Sequence, residues 1–391
     1  MANVSSSNGL EKRPKLRFPG FDEPWQTTLL SSVFAKNTQK NTDGRITNVI
    51  CNSAKQGLIP QREYFDKDIA NSDNTNGYYI IEENDFVYNP RKSSDAPYGP
   101  ISSYKYTEAG IVSPLYLCFR AKKEINPAFF EWYFRSSAWH RYVYMSGDSG
   151  ARHDRVSIKD DTFFAMPINI PSAHEQAQIA DFLERIEQRI EIQRALVDSL
   201  KKYKRGAIAY ILSGKSKEFS SASSWIQKTL DDLCSEFRSG RNISSTLIHE
   251  AGDYPVYGGN GIRGYCDQYS HEGEYVVIGR QGALCGNVRI IQGQNYLSEH
   301  AIAVRANADN DTRFLLYLLD FMKLGQYSDQ GAQPGLAVNK LLRLKCTVPD
   351  KKTQSKIASF LLRLDSQISH QKKMIFVLAD QRKAFLQQLF I

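Results

Sequence analysis

The chain has 391 residues, 41% of them hydrophobic, and a formal net charge of +8. At roughly 100–200 residues per domain, this length predicts two or three domains, and the composition argues against a disordered chain. The six cysteines have no metal-binding spacing and no apolar run reaches about 18 residues, so neither a zinc site nor a membrane-spanning helix is expected. The positive charge favours a polyanionic partner only weakly.

A polar tail at residues 1–17 precedes a first region, residues 18–170, that has the pattern of a β-rich domain. Trp25 opens this region and is followed by Leu30 and Val33. The expected elements are strands at GYYII (77–81), DFVYN (85–89) and SPLYLCF (113–119), and one helix at INPAFFEWYFRSSAWHRYV (125–143).

The first long helix is predicted at residues 171–213, where apolar residues recur at a heptad-like spacing. Ser172, with Glu175 three residues later, predicts a capping box, in which side chains satisfy the first free amides of the helix. Gly214 is expected to end the helix in the left-handed conformation. One face forms a predicted helix–helix seam: Leu183, Ile186, Ile190, Gln193 and Leu200.

A polar, Ser-rich linker at residues 214–224 leads to a second β-rich region, residues 225–348. This region again opens on a tryptophan, Trp225, which is followed by Leu230 and Leu233. Its expected elements are strands at YPVYGG (254–259), EYVVIG (274–279), NVRII (287–291) and AIAVRA (301–306), and a helix at TRFLLYLLDFMKLG (312–325). The interiors of the two regions barely align, so the sequence predicts a duplicated scaffold that carries two different domains.

Residues 349–391 repeat the first long helix at an offset of 178 residues, without a gap. The matched positions include polar residues, which chance similarity between amphipathic helices does not explain: Pro171/Pro349, Gln176/Gln354, Phe182/Phe360, Arg185/Arg363 and Gln193/Gln371. The second seam comprises Leu361, Leu364, Ile368, Gln371 and Leu378. Lys204 and Arg382 occupy matching polar positions in the two seams. Asp350 is expected to cap this helix, although Thr353 replaces the glutamate of the capping box.

These patterns predict a mixed α+β fold in which two β-rich domains are separated by two long helices that form an antiparallel coiled coil. A polar residue in a seam fixes the register of paired helices. Gln193 and Gln371 lie near the middles of their helices, so we expect them to meet. The alternative is two separate helices, each packed on its own domain.

No catalytic motif accompanies these elements. The sequence has no GxxxxGK[ST] phosphate loop, no HExxH and no GxSxG. GNGIRG (259–264) matches GxGxxG, but no amphipathic helix follows it, so it predicts a turn and not a nucleotide site. YNPRK (88–92) only partly matches the Asn-Pro-Pro-aromatic motif of amino-methyltransferases. The chain is therefore expected to be non-catalytic.

Basic and amide side chains on glycine-bordered loops are the remaining functional candidates. Arginine can bind guanine through two hydrogen bonds, asparagine and glutamine can bind adenine in the same way, and lysine and arginine neutralise phosphates. The candidate DNA-binding residues are Arg91, Lys92, Lys105, Arg152, Arg155, Arg238, Arg241, Asn260, Arg263, Arg280 and Gln281. Any one of them is better explained as a solvated surface charge, but the set, spread over both regions, favours DNA contact.

From about residue 18 onwards, the sequence resembles the DNA-specificity subunits of type I restriction–modification systems. The resemblance is carried by the repeated helix motif and the two tryptophan openings: Pro171, Glu175-Gln176, Ile179-Ala180 and Phe182-Leu183; Pro349, Gln354, Ile357-Ala358 and Phe360-Leu361; Trp25 and Trp225. It implies two target-recognition domains, each reading one half of an asymmetric bipartite site in double-stranded DNA. It also implies that the helices set the spacer between the half-sites and dock two methyltransferase subunits.

The resemblance further implies a non-catalytic subunit of a complex that methylates DNA and defends the cell against foreign DNA through an ATP-dependent endonuclease. Motor-endonuclease subunits can add to such a complex. No cofactor is expected in this chain, since S-adenosylmethionine and ATP with Mg would belong to the partner subunits. The implied location is the cytoplasm of a bacterial or archaeal cell, with no membrane partner.

Three alternatives remain open on the sequence. A coiled-coil scaffold protein that never reads DNA would have no sequence-specific footprint. A stand-alone methyltransferase–nuclease would bind S-adenosylmethionine, which the missing motifs argue against. An orphan or silent specificity subunit, used for exchange of domains, would have the same sequence features as an active one.

Overall fold

The computed structural model describes residues 3–4, 12–64, 75–147, 154–220, 224–282, 284–329 and 335–391. The chain forms two compact units. Unit 1 comprises Met1–Ile192 and Ile375–Ile391, and unit 2 comprises Gln193–Met374. Each unit therefore combines one β-rich region with a part of both long helices.

The strands of unit 1 are β1 (Asn3–Val4), β2 (Leu16–Arg17), β3 (Gln26–Leu29), β4 (Phe34–Lys36), β5 (Ile50–Ser53), β6 (Gly57–Pro60), β7 (Tyr79–Ile81), β8 (Phe86–Tyr88), β9 (Ile101–Ser103), β10 (Gly110–Val112), β11 (Leu117–Ala121) and β12 (Pro167–Ile170). Its helices are α1 (Leu30–Val33), α2 (Gln61–Tyr64), α3 (Pro127–Arg135), α4 (His140–Ser146) and α5 (Asp160–Phe164). The first long helix, α6 (Ala173–Leu212), begins in unit 1 and ends in unit 2.

The strands of unit 2 are β13 (Ile226–Thr229), β14 (Cys234–Ser239), β15 (Tyr254–Gly258), β16 (Gly261–Cys266), β17 (His271–Glu272), β18 (Tyr275–Gly279), β19 (Val288–Ile291), β20 (Gln294–Leu297), β21 (Ala301–Ala306) and β22 (Lys345–Val348). Its helices are α7 (Lys217–Ser220), α8 (Leu230–Leu233), α9 (Thr312–Phe321) and α10 (Val338–Leu342), with 3-10 turns at Ser245–Leu247 and Leu324–Tyr327. The second long helix, α11 (Lys351–Leu389), begins in unit 2 and ends in unit 1.

An antiparallel sheet in the order β4-β11-β8-β9 forms the centre of unit 1. Phe34, Phe86 and Phe119 come from three adjacent strands, and their ring centroids lie 5.2 to 5.6 Å apart. Helix α3 covers them with Phe130, 5.1 Å from Phe34, and Phe134, 5.7 Å from Phe86. Each fully buried phenylalanine contributes roughly 2–3 kcal/mol, so this aromatic cluster anchors the domain.

Unit 2 has a sheet that is covered on both faces. In the order β14-β21-β18-β19, alternate residues point to opposite sides. Val276 and Val304 pack with Phe314 of α9, whereas Val277 and Ala303 pack with Leu297 of the second sheet. That second sheet has the order β16-β15-β20-β17 and contains one parallel pair, β15 with β20. Burial on both faces explains the continuous apolar runs in β18 and β21.

Both units open with the same strand–helix–strand arrangement. β3-α1-β4 follows Trp25, and β13-α8-β14 follows Trp225. β3 pairs antiparallel with β12, just as β13 pairs with β22. Leu30 and Leu230 are completely buried at matching positions. Because β12 and β22 each lead directly into a long helix, these pairings determine where both helices start.

Within each unit, the start of one long helix packs antiparallel against the end of the other. In unit 1, Arg382 of α11 binds Glu187 of α6. In unit 2, Lys204 of α6 lies 2.6 Å from Asp365 of α11. Both the basic and the acidic members of these pairs are 178 positions apart, so the polar positions in the two seams are neutralised in the same way.

The structure buries six residues of the predicted seam, Leu183, Ile190, Leu361, Leu364, Ile368 and Leu378, and half-buries Ile186, Gln193, Leu200 and Gln371. No hydrogen bond joins Gln193 to Gln371 within the described ranges, so the expectation that they meet finds no support here. The Oε1 atom of Gln193 is buried and has no hydrogen-bond partner within the described ranges.

The two long helices begin differently. The amide of Glu175 donates to Ser172 Oγ at 3.3 Å, as predicted. The Glu175 carboxylate does not complete the capping box but accepts a hydrogen bond from Arg17 Nε at 2.7 Å. A charged donor forms a stronger bond to a carboxylate than a backbone amide does. At the start of α11, the Thr353 amide donates to Asp350 Oδ1 at 2.9 Å, which is the predicted cap.

Three further segments agree only in part with the elements expected from the sequence. The helix predicted at residues 125–143 is divided into α3 and α4, because the backbone at Ser136 is extended (φ −80°, ψ 175°) and ends α3. α6 ends at Leu212, and Gly214 takes the predicted positive φ of 75°. The linker contains α7, whose Phe219 is buried in the core of unit 2.

Candidate nucleic-acid interface

Four loop segments of unit 2 meet where β14, β15 and β18 end and β21 begins. The Arg280 amide donates to His300 O at 2.9 Å, and the Ser298 amide donates to Tyr257 O at 2.9 Å. The Arg241 amide donates to Leu297 O at 2.8 Å. These backbone bonds hold the candidates Arg241 and Arg280 close to the glycine-bordered turn of the β15–β16 hairpin.

Glycines make this convergence possible. A Cβ atom on Gly240 would lie 2.2 Å from Leu297 O and 2.4 Å from Ser298 O. A Cβ atom on Gly259 would lie 2.8 Å from Gln281 O. Since real Cβ atoms do not approach carbonyl oxygens so closely, only glycine lets these segments pack together. The glycines around the candidate residues thus have a steric role.

The candidate side chains of unit 2 differ in their exposure and in their hydrogen bonding. Asn260 and Arg263, in the hairpin that contains GNGIRG, are exposed. Arg280 is half-buried, with Nε 3.4 Å from Leu336 O and Nη1 3.4 Å from Glu299 O. Gln281 Oε1 lies 2.7 Å from His300 Nδ1. The hairpin therefore offers exposed donors, whereas Arg280 and Gln281 are held by hydrogen bonds to neighbouring loops.

Arg238 and Arg241 lie on either side of Gly240, but only Arg238 is neutralised by an ion pair. Arg238 Nε lies 2.6 Å from Glu236 Oε1, and the same carboxylate accepts a hydrogen bond from Tyr275 at 2.9 Å. Burial lowers the pKa of nearby His271, although Glu236 opposes that shift. Arg241 is exposed and forms no ion pair within the described ranges. Of the two arginines, Arg241 has the charge available for a phosphate or a base.

In unit 1, Arg91, Lys92 and Arg155 are brought together. Arg91 and Arg155 form an isolated antiparallel bridge. The Lys92 amide donates to Asp154 O at 2.9 Å, and the Val156 amide donates to Pro90 O at 2.9 Å. Arg91 and Lys92 are exposed, so this short two-stranded segment forms a basic edge.

Lys105 is placed differently from the other candidates. Its Nζ lies 4.0 Å from the buried carboxylate of Glu131, which also binds Arg135 and Ser103. Burial opposes ionisation of Glu131, yet Arg135, Lys105 and Ser103 together lower its pKa. Part of the charge of Lys105 therefore neutralises Glu131. The candidate Arg152 lies outside the described residues.

The sequence patterns did not single out Arg289 or His300. The Arg289 guanidinium packs beside the hairpin turn, where its Nη1 would lie 2.6 Å from a Cβ atom on Gly261. Arg289 stands in an apolar strand, β19, and only strand alternation would have drawn attention to it. Among the described residues, no cluster of His, Cys, Asp and Glu could hold a metal ion, and no helix is long and apolar enough to span a membrane.

Comparison with known proteins agrees with this two-part architecture. The family model "Type I restriction modification DNA specificity domain" matches residues 23–202 and 222–375. The Type I restriction enzyme EcoprrI specificity subunit of Escherichia coli is 44% identical over 144 residues, which are 36% of each chain. A putative type I restriction enzyme specificity subunit of Haemophilus influenzae is 26% identical over 137 residues, 34% of this chain and 36% of that protein. The matched stretches thus span about a third of these relatives.

A solved structure has a similar fold over nearly the full length of the chain. The crystal structure of the type I restriction–modification system S subunit from M. genitalium covers 97% of this chain and 99% of its own, with a TM-score of 0.60 and 18% identity. A structure from a study of complex assembly in the type I system has a TM-score of 0.59 and 15% identity. At these identities the likeness concerns the fold. Since the family model matches most of its length, the chain belongs to the type I restriction–modification DNA specificity family.

Proposed function

We propose that this chain is the sequence-recognition subunit of a type I restriction–modification complex and that each unit reads one half of an asymmetric bipartite site in double-stranded DNA. The observation that carries the proposal is a shared scaffold with unlike domains. The same strand–helix–strand opening supports different sheets in the two units. The basic residues also stand on different elements, Arg91, Lys92 and Arg155 in unit 1 and Arg241, Arg263 and Arg280 in unit 2.

Base reading requires donors and acceptors that reach the edges of bases, and phosphate contacts fix the orientation of the protein. Asn260 and Arg263 have the exposure that base contact needs. Gln281, held by His300 at 2.7 Å, has an amide in a fixed place, which favours discrimination by geometry. Arg91, Lys92 and Arg241 suit phosphate contacts, because they are exposed and their charge is long-range.

The long helices have a second role in this proposal: they set the spacer between the half-sites and dock two methyltransferase subunits. A duplicated helix motif presents two similar surfaces, and similar surfaces can recruit two identical partners. The chain itself is then non-catalytic. S-adenosylmethionine, and ATP with Mg for any motor-endonuclease subunits, belong to the partners.

An exchange of domains tests the assignment of reading. Residues 225–348 would be replaced by the corresponding region of another family member, and methylated bases would be mapped in cells that also contain the methyltransferase subunit. We expect one half of the methylated motif to change and the other half to stay. Replacement of residues 18–170 is the matched control, and it should change the opposite half. An unchanged motif in both exchanges contradicts the proposal.

A further inference from the structure

A groove of about 980 Å³ lies in unit 2, where the end of α6, the start of α11 and α7 meet. Ala207 of α6 and the half-buried Phe360 of α11 line it. Gly206, beside Ala207, leaves open space, since nothing lies within 4 Å of where its Cβ would be. Tyr203 and Tyr210 border the groove with side chains that are 58% and 52% exposed. Such exposure of two tyrosines beside an apolar floor is typical of a protein-binding surface.

The repeated helix motif provides a comparison within the same chain. Unit 1 has Phe385 at the position of Ala207, and Phe182 at the position of Phe360. The rings of Phe182 and Phe385 pack edge to face, 5.0 Å apart, and Phe18 packs on Phe182 at 5.5 Å. In unit 1 an aromatic side chain of the protein itself therefore occupies the place that is open in unit 2.

The groove in unit 2 and the matching place in unit 1 also differ in the pairing of their charged side chains. Arg185 in unit 1 is paired with Asp181 at 2.9 Å. Its counterpart in unit 2, Arg363, has Ser359 at the position of Asp181. Arg363 and the neighbouring Lys356 are both exposed, and neither forms an ion pair within the described part of the chain. Glu218 of α7 also lines the groove, so the rim has two basic side chains against one acidic one. This positive excess favours an acidic occupant.

We propose that this groove docks an acidic segment of a methyltransferase subunit that inserts an aromatic side chain between Ala207 and Phe360. Unit 2 lacks the ring that Phe385 supplies in unit 1, and that ring defines the shape of the inserted group. The free charges of Lys356 and Arg363 define the charge of the segment around it. The inference rests on the docking role given above to the long helices. It adds that the two duplicated surfaces are unequal, with the surface on unit 2 depending on a side chain from the partner.

The test uses the full chain with its methyltransferase subunit. Ala207→Phe fills the groove as Phe385 fills unit 1, and Ala209→Phe places the same side chain on an exposed position of α6 outside the groove. Binding of the first and second methyltransferase subunit would be followed by native mass spectrometry during a titration. We expect Ala207→Phe to weaken the binding of one subunit by about tenfold or more, as loss of an aromatic anchor does, and Ala209→Phe to leave both steps within about twofold.

A second pair of variants tests the charge without altering the groove floor. Lys356→Glu combined with Arg363→Glu should weaken the same binding step by about tenfold. Lys372→Glu combined with Lys373→Glu makes the same change in charge at exposed positions of α11 outside the groove and should have little effect. If each variant binds like its control, the groove proposal is overturned while the docking role stands. If the unaltered chain binds no methyltransferase subunit, the docking role fails as well.

Discussion

Arg17 and Glu175 form a buried ion pair between residues 158 positions apart in the sequence. Arg17 Nε donates to Glu175 Oε1 at 2.7 Å, and Arg17 Nη2 donates to Oε2 at 2.8 Å. The two side chains are only 9% and 1% exposed. This pair joins β2, before Trp25, to the first turn of α6, so it links the beginning of the domain in unit 1 to its long helix.

Removing one partner of this pair should be costly. Arg17→Met leaves the Glu175 carboxylate buried and unpaired, and we expect the free energy of unfolding to fall by about 3–5 kcal/mol. Urea unfolding, followed by circular dichroism, measures the change. The double variant Arg17→Met, Glu175→Thr copies the threonine that α11 has at Thr353, and it should recover most of the loss. A single variant as stable as the unaltered chain would show that the pair contributes nothing.

The network of Lys204, Asp365 and Tyr317 should stabilise unit 2. Asp365 lies 2.6 Å from Lys204 Nζ and accepts a hydrogen bond from the buried Tyr317 hydroxyl at 2.8 Å. Asp365→Ala leaves that hydroxyl without its acceptor, and we expect a loss of about 2 kcal/mol in urea unfolding. Asp198→Ala is the matched control. It removes an exposed pair with Lys201 and should cost less than about 0.5 kcal/mol.

His140 should make unit 1 less stable as the solution becomes acidic. Burial lowers the pKa of His140 to about 4, and its ring lies 4.7 Å from Tyr98 and 4.8 Å from Trp139. In an unfolded chain its pKa is about 6.5, so unfolding takes up a proton between these two values. Stability is then complete above pH 6.5 or so and is lost as the pH falls towards 4.

His140→Phe, which keeps a ring but cannot titrate, provides the comparison. Because the imidazole is only partly buried, we expect the unaltered chain to lose about 1–2 kcal/mol more than this variant between pH 7 and pH 4. Thermal unfolding at a series of pH values measures the difference. Parallel pH profiles for the two proteins would mean that His140 is not held neutral by the fold.

Arg263 and Arg238 should differ in their effect on DNA recognition. Arg263 is exposed in the β15–β16 hairpin, whereas Arg238 is bound to Glu236 at 2.6 Å. Arg263→Ala should weaken binding to the cognate site by about 1–3 kcal/mol and relax specificity in one half-site only. Arg238→Ala is expected to change binding by less than about 0.5 kcal/mol. Fluorescence anisotropy with variant half-sites distinguishes the two, and equal losses would contradict the assignment.

Much of the architecture was predictable because its signals are local or repeated. The 178-residue offset placed both helices, Asp350 capped the second one as expected, and Gly214 ended the first. The predicted capping box formed only in part: the Glu175 amide donates to Ser172 Oγ, but the Glu175 carboxylate binds Arg17. A carboxylate three residues from Ser172 has a local partner in the sequence, but the fold brings a guanidinium to it from 158 positions away.

In the candidate interface, too, the sequence identified residue types and the fold decided which of them lie together. Sequence identified Arg91, Lys92 and Arg155 as basic loop residues, but only the pairing of their backbone segments brings them to one edge. Arg289 was missed because its neighbours in β19 are apolar, and Lys105 was included although Glu131 lies beside it. Whether a charge is free depends on neighbours that are distant in the chain.

By itself, the sequence determined the duplication, the lengths of the two long helices and the polar positions in their seams, because helical periodicity and repeat identity are properties of neighbouring residues. Tertiary structure decided which of those residues meet. It paired Lys204 with Asp365 and left the Oε1 atom of Gln193 without a hydrogen-bond partner among the described residues, because the register of two packed helices depends on all their contacts together. It also left a groove at Ala207, whereas Phe385 fills the matching place in unit 1. Whether a side chain fills such a place depends on the residues that the fold packs around it.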